Sequence, residues 1–162
     1  MKKILLLLLI VAVIVQLFVP AYMIWERFDV LKSGDEVKIA VRPIDPYDAF
    51  RGRYVALRFD YDLDYSERNG QYGVLEVDEN NFAKVVRVTN KKPESGLYLV
   101  SDESHYFTIP LDRYYMEETL APKAEAMLNN SQAYITVRIK GDKAVISGLY
   151  INNIKAEDLL TR

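Results

Sequence analysis

The stretch DPYDAFRGRYVALRFDY, Asp45 to Tyr61, sets carboxylates, guanidinium groups and phenols side by side, with Arg42 three residues ahead of it. An arginine's planar fork of donors matches a carboxylate through two hydrogen bonds at once. Arg42 and Arg51 could therefore lock Asp45 and Asp48 into a stapled loop, or receive the carboxylate of a ligand or of a partner's side chain. Part of the stretch needs no function at all. Asp45 suits a cap, Pro46 the first helical position, and Gly52 the left-handed residue that ends a single turn. That reading accounts for Asp45, Pro46, Asp48 and Gly52 and leaves Arg42, Arg51, Arg53 and Tyr54 to be explained.

Acid–base chemistry has fewer options. Glu118 and Glu125 are seven residues apart, so one continuous helix would place both on one face with a rise of about 10.5 Å. Inverting glycosidases hold their two carboxyl groups about 6.5–9.5 Å apart, so side chains would have to converge to work as such a pair. A solvated helix face is the plainer use. His105 is the only histidine and there is no cysteine. A multi-histidine or cysteine zinc site is thereby nearly excluded, and a thiol nucleophile is excluded outright. A Ser-His-Asp system would have to use His105, with Ser101 and Ser104 too near it in sequence to be informative. No cofactor and no metal ligand set is expected.

These groups must be positioned by the rest of the 162-residue chain, which has length for one domain with a real core. The run ILLLLLIVAVIVQLFV from Ile4 to Val19 holds one polar residue, Gln16, and continues to Ile24 and Trp25. Spanning a bilayer takes about 20 apolar residues, which Ile4–Trp25 supplies. Tyr22 and Trp25 fall where an aromatic belt would lie, and Lys2 and Lys3 mark the cytoplasmic side. The competing reading is a cleaved leader, with Val19-Pro20-Ala21 as its cleavage site. The apolar run is longer than the 7–15 residues usual in such a segment, and the proline is an awkward neighbour for a peptidase. The expected organisation is a cytoplasmic tip and anchor over residues 1–25, a connector over 26–34, and an extracytoplasmic domain over 35–162. The chain carries 21 basic and 23 acidic residues, and its formal charge of −2 becomes −4 without Lys2 and Lys3. No basic excess is left to grip nucleic acid.

In the exported part the dominant period is two. Val37, Ile39 and Val41 alternate with polar neighbours, as do Val55, Leu57, Phe59, Tyr61 and Leu63. Further short runs occur at Tyr72–Val77, Phe82–Val88, Leu97–Val100 and Tyr106–Ile109, most of them separated by turn clusters such as DENN and NKKPESG. Ala133–Ile139 and Val145–Ile151 form the clearest pair, joined at Gly141-Asp142 by what reads as a type II′ hairpin. From Thr119 to Asn129 the period becomes helical. The fold class is therefore mainly β: a single N-terminal transmembrane helix, then an antiparallel sandwich or partly closed barrel of seven or eight strands with one inserted helix. The twelve tyrosines suit interfaces and sugar or peptide grooves, though cross-strand pairing explains most of them.

The stretch VRPIDPYDAFRGRYVALRFDY resembles the signature of the GDYXXLXY family, in which a PxDPxDxxRGDYVxLxY-like segment follows a single N-terminal membrane segment. Pro43, Asp45, Pro46, Asp48, Arg51, Gly52, Tyr54, Val55 and Leu57 match it as they stand. Arg53 stands where the family has its name-giving aspartate, and Phe59 stands in place of the tyrosine. YYMEETLAPKAE is similar to a second family feature, through Tyr115, Glu118 and Glu125. The resemblance implies a bacterial membrane-associated protein that often accompanies a multi-span membrane protein, and it implies no particular activity. The resulting expectation is an extracytoplasmic binding or assembly module on a single anchor, its patch made of Arg42, Asp45, Asp48, Arg51, Tyr54, Tyr115, Glu118 and Glu125. The rival is a membrane-tethered hydrolase using Glu118 or Glu125 on glycan or peptide. If the topology is right, protease added to intact spheroplasts digests the domain, while mass spectrometry finds Lys2 and Lys3 still attached. A mature N-terminus at Tyr22 would overturn the anchor.

Overall fold

The computed structural model describes residues 2–44, 54–59, 63–102, 106–117, 127 and 131–160; at Lys2, Leu5, Pro43, Ile44, Tyr54, Val55, Ala56, Tyr65 and Leu160 it describes the backbone alone. The chain opens with α1 (Lys2–Ser33), 32 residues with Pro20 inside it. Among the described residues it alone is long and apolar enough to cross a bilayer, its most apolar 18 residues having a mean hydropathy of 2.6. The segment Glu26–Ser33, read as a connector, is the last two turns of this same helix. Only half of its residues are strong helix formers, but Val30 among them is buried, so the helix gains stability from a side that packs.

Nine strands follow among the described residues: β1 (Asp35–Ile44), β2 (Tyr54–Phe59), β3 (Tyr72–Val77), β4 (Ala83–Thr89), β5 (Tyr98–Val100), β6 (Arg113–Tyr115), β7 (Ala133–Lys140), β8 (Lys143–Ile151) and β9 (Ile154–Lys155), with a short α2 (Ala156–Leu160) after them. They form two antiparallel sheets, ordered β6-β2-β1-β7-β8-β9 and β4-β3-β5. Neither closes into a barrel. The core lies between them, where Val37, Ile39, Val41, Ile135, Val137 and Leu149 of the large sheet meet Leu75, Val85 and Leu99 of the small one. The alternation read from the sequence is the one that packs: Leu57 and Phe59 are buried while Arg58 between them is exposed.

β1 organises the large sheet because its two edges are used differently. One edge pairs β7 from Asp35 to Val41. The other pairs β2 only from Val41 to Ile44. Nearer its start that second edge takes the β3–β4 turn instead: Lys38 N–H donates to Asn81 O at 2.8 Å, and Asn81 Nδ2 donates to Glu36 O at 2.8 Å. Asp78 Oδ1 holds this turn by accepting from the Asn80 and Phe82 N–H groups, leaving Asn81 at a φ of 67°.

Four elements differ from the sequence reading. Tyr106–Ile109 is no strand, although Phe107 and Ile109 are buried as its alternation requires. Its N–H groups find other acceptors: Phe107 N donates to Arg68 O at 2.8 Å and Thr108 N to Ser101 Oγ at 3.0 Å. β6 and β9 were not foreseen, and nor was α2. β9 is turned by Asn152 and Asn153, both at positive φ (51° and 65°), as a type I′ hairpin demands. Of the helix expected over Thr119–Asn129 only Met127 is described, so that expectation lies outside the described residues. The β7–β8 hairpin turns as expected, with Gly141 at a φ of 57° and Lys140 opposite Lys143.

Phe107 packs where only a glycine leaves room. A Cβ on Gly73 would lie 2.2 Å from Phe107 Cζ, and Phe107 is 1 % exposed. Gly73→Ala should therefore lower stability by about 1–3 kcal/mol through overpacking. Paired with Phe107→Leu in a denaturant-melt cycle, it should cost less than the two separate losses added together.

Candidate functional site

Of the residues singled out in the sequence, Asp45, Asp48, Arg51, Glu118 and Glu125 lie outside the described residues. Of the other three, Arg42 and Tyr115 are exposed on strands of the large sheet, and Tyr54 is described by its backbone position alone. Arg42 is exposed on β1, and its cross-strand neighbour is Arg58 of β2. Tyr54 opens β2 directly after the signature and is in register with Tyr115 of β6. Residues opposite each other in an antiparallel pair share a face, so positions 54 and 115 stand side by side. Four residues separate Tyr54 from Arg58, about 13 Å along the strand, so the arginine pair and the tyrosine pair mark two ends of one strip.

β6 is an edge strand, and Tyr114 faces inward from it. The Tyr114 hydroxyl donates to Glu157 of α2, beyond the sheet's opposite edge. Burial, then this carboxylate, raise the phenol's pKa far above its ordinary value of 10.0. The sheet thus curls until its edges approach, and side chains bridge what strand pairing does not. β9 pairs only Tyr150 and Ile151, so among the described residues the first half of β8 has no strand beyond it. Between that half of β8 and the Pro110–Tyr115 segment lies a groove of about 680 Å³.

α1 forms the groove's remaining wall. Met23, Glu26, Arg27 and Val30 all line it, and their spacing of three, four and seven residues is one helix face. That face is docked on the β7–β8 hairpin. Val30 is 2 % exposed, Lys140 Nζ donates to Asp29 Oδ2 at 2.6 Å and to Ser33 Oγ at 2.8 Å, and Lys143 pairs with Glu26. The hydrogen bond from Lys140 holds the Asp29 carboxyl below its ordinary 3.8. At the hairpin tip Asp142 accepts from Lys92 Nζ at 2.9 Å and from the Tyr98 hydroxyl at 2.7 Å, and both bonds lower its pKa. Burial raises the Tyr98 phenol.

The sequence reading missed this groove. Its signal was available: the helical spacing of Met23, Glu26, Arg27 and Val30 runs on past the apolar segment, and lysines flank the Gly141-Asp142 turn. Tyr115 links the groove to the expected patch, since it stands across from Tyr54 and also lines the groove. Much of the tyrosine surplus is structural. Tyr134 and Tyr150 are register partners stacked at 5.1 Å, and Phe82 meets Tyr134 edge-on at 5.4 Å. Among the described residues no group of three or more His, Cys, Asp or Glu is placed to hold a metal ion.

A family model described as "GDYXXLXY protein" matches residues 16–149, from within α1 almost to the end of β8. Neither the curated proteins nor the solved structures give a match.

Docking of α1 can be followed by distance, because the chain has no native cysteine to confuse a label. Spin labels at Phe28→Cys and Glu79→Cys, both exposed positions, should give a narrow distance distribution. Val30→Asp should broaden it by burying an unpaired charge. The pH dependence has a definite sign. A carboxyl whose folded pKa is lowered stabilises above its unfolded value and loses that contribution as the pH falls through the folded one. The distribution should therefore hold at neutral pH and broaden only below about pH 3.8, as Asp29 protonates and its bond to Lys140 is lost.

Proposed function

The chain belongs to the GDYXXLXY family, and from that premise we propose that it is a single-pass membrane protein of a bacterial cell membrane whose domain, outside the cytoplasm, binds or assembles with another membrane or envelope protein. Residues 1–25 supply the tip and anchor, 26–34 the helical link that docks, and 35–162 the binding domain. The N-terminal apolar helix is compatible with such anchoring. The partner-facing surface is the strip of Arg42, Tyr54 and Tyr115 together with the signature residues Asp45, Asp48 and Arg51 and the segment carrying Glu118 and Glu125.

The observation that carries this reading is the position of Tyr115, opposite Tyr54 in the sheet and in one groove with Met23 and Glu26 of the helix. The strand that carries Tyr115 thereby borders a groove that the anchor helix also lines, which supports a surface shared by the two. A domain that needed only tethering would be served by a flexible link. A domain docked on its own anchor is held at one height and one attitude, which lowers the ordering cost of meeting a partner embedded in the same membrane.

Affinity capture from native membranes tests it. The wild-type chain should retain a membrane protein that Tyr54→Ala loses, with the variant's stability unchanged within about 0.5 kcal/mol. Val30→Asp should stay in the membrane yet capture several-fold less. If both variants capture as well as the wild type, the proposed surface is misplaced.

A further inference from the structure

The groove between α1 and the sheet holds two exposed charges that no side chain among the described residues pairs. Among the described residues Arg27 and Asp102 have neither an ion pair nor a hydrogen bond, although both line the groove. The other charged groups there are engaged: Glu26 with Lys143, Asp112 with Arg113, and Asp142 with Lys92. One unpaired cation and one unpaired anion in the same groove match a ligand that is itself a zwitterion.

Depth narrows the ligand's source. With Ile4–Trp25 in the hydrocarbon, Glu26–Val30 rises about 6 Å above it. The headgroup layer on each side of a bilayer is about 5–7.5 Å thick. The groove's helical wall therefore begins at the hydrocarbon edge, where Met23 is 55 % exposed, and ends at the top of the headgroup layer at Val30. A lipid of the surrounding leaflet reaches this groove without leaving the membrane, its chains running down past Met23.

We propose that the groove is a binding site for a phospholipid of the phosphoethanolamine type, with the phosphodiester on Arg27 and the primary ammonium on Asp102. An arginine fork suits two phosphate oxygens. A primary ammonium donates three hydrogen bonds and can reach a carboxylate, whereas a quaternary ammonium has none to give. A purely anionic headgroup would satisfy Arg27 and leave Asp102 facing more negative charge. The site rests on the membrane-anchored reading of α1 but not on any protein partner.

The full-length protein is reconstituted in vesicles containing equal parts of phosphatidylcholine, phosphatidylethanolamine and phosphatidylglycerol, and the lipids it retains on release are identified by native mass spectrometry. Phosphatidylethanolamine should be retained several-fold over the other two. Arg27→Ala should lose retention of all three lipids. Asp102→Asn should keep a lipid but lose the preference for ethanolamine over choline. Equal retention by the wild type and Arg27→Ala overturns the site, as does a preference for phosphatidylglycerol. Alkaline extraction of the same vesicles separates the two possible failures: a chain that resists extraction yet retains no ethanolamine lipid refutes the groove alone, and a chain that is extracted refutes the anchor beneath it.

Discussion

At Gly34 a helix becomes a strand in a space that admits no side chain. A Cβ there would lie 2.7 Å from the Val30 carbonyl oxygen and 3.0 Å from that of Ile139. The Gly34 N–H still closes the last helical bond, to Val30 O at 2.8 Å, while its own carbonyl accepts from Arg138 Nη1 at 3.0 Å. Arg138 also pairs with Glu36 at 2.6 Å, so one guanidinium on β7 fixes both sides of the corner. Because β1 begins one residue later and pairs β7 from its first position, the direction of the helix is passed straight into the sheet. Docking of α1, the lie of the β7–β8 hairpin and the groove between them all follow from this corner.

The contacts that hold the helix divide by kind. Lys140–Asp29 and Lys143–Glu26 join side chains that are a third to a half exposed, where solvent screens most of an ion pair's attraction. Val30 is nearly fully buried, and such a side chain contributes about 1.5–3 kcal/mol. The apolar contact therefore decides whether the helix docks. The charges decide where along the hairpin it docks, because both lysines flank the turn and both acids lie on one side of the helix. Undocking needs only the loss of one buried valine and a few solvated pairs, so the helix is tied to the domain less firmly than the strands are tied to one another.

What could be read from the sequence was what depends on short-range pattern. The apolar run, the two-residue period of β1, β2, β7 and β8, and the Gly141-Asp142 turn each show their cause within a few residues. Tyr106–Ile109 shows the limit of that logic: alternation reports which side chains go inward, and cannot report whether the backbone finds a neighbouring strand or the hydroxyl of Ser101. β6 and β9 are three and two residues long, too short for any period to register. For the candidate site, the grouping of Tyr54 with Tyr115 came from a family-like pattern in the sequence, and the register sets the two positions opposite each other. The groove escaped notice because its walls come from four distant segments, and because Glu26–Ser33 looked like a tether when its apolar residue at 30 made it a packed helix.

The groove also has a reason to be where it is. Closing a curled sheet into a barrel requires its edge strands to pair along their length. β6 offers three residues, and β9 covers only the end of β8, so a ladder cannot complete the ring. Tyr114 and Glu157 bridge the edges at one height through side chains. At another height, beside Ala144, Val145 and Ile146, the seam stays open, and α1 lies along it. An open seam exposes the backbone of two strand edges, a liability that proteins manage by short edges, charge or a covering element. Here all three are present: β6 is short, Arg113 and Lys143 stand at the rim, and the helix covers the gap without filling it. The space left over is bounded by the anchor on one side and by the strand bearing Tyr115 on the other, so whatever occupies it touches both the helix and the sheet.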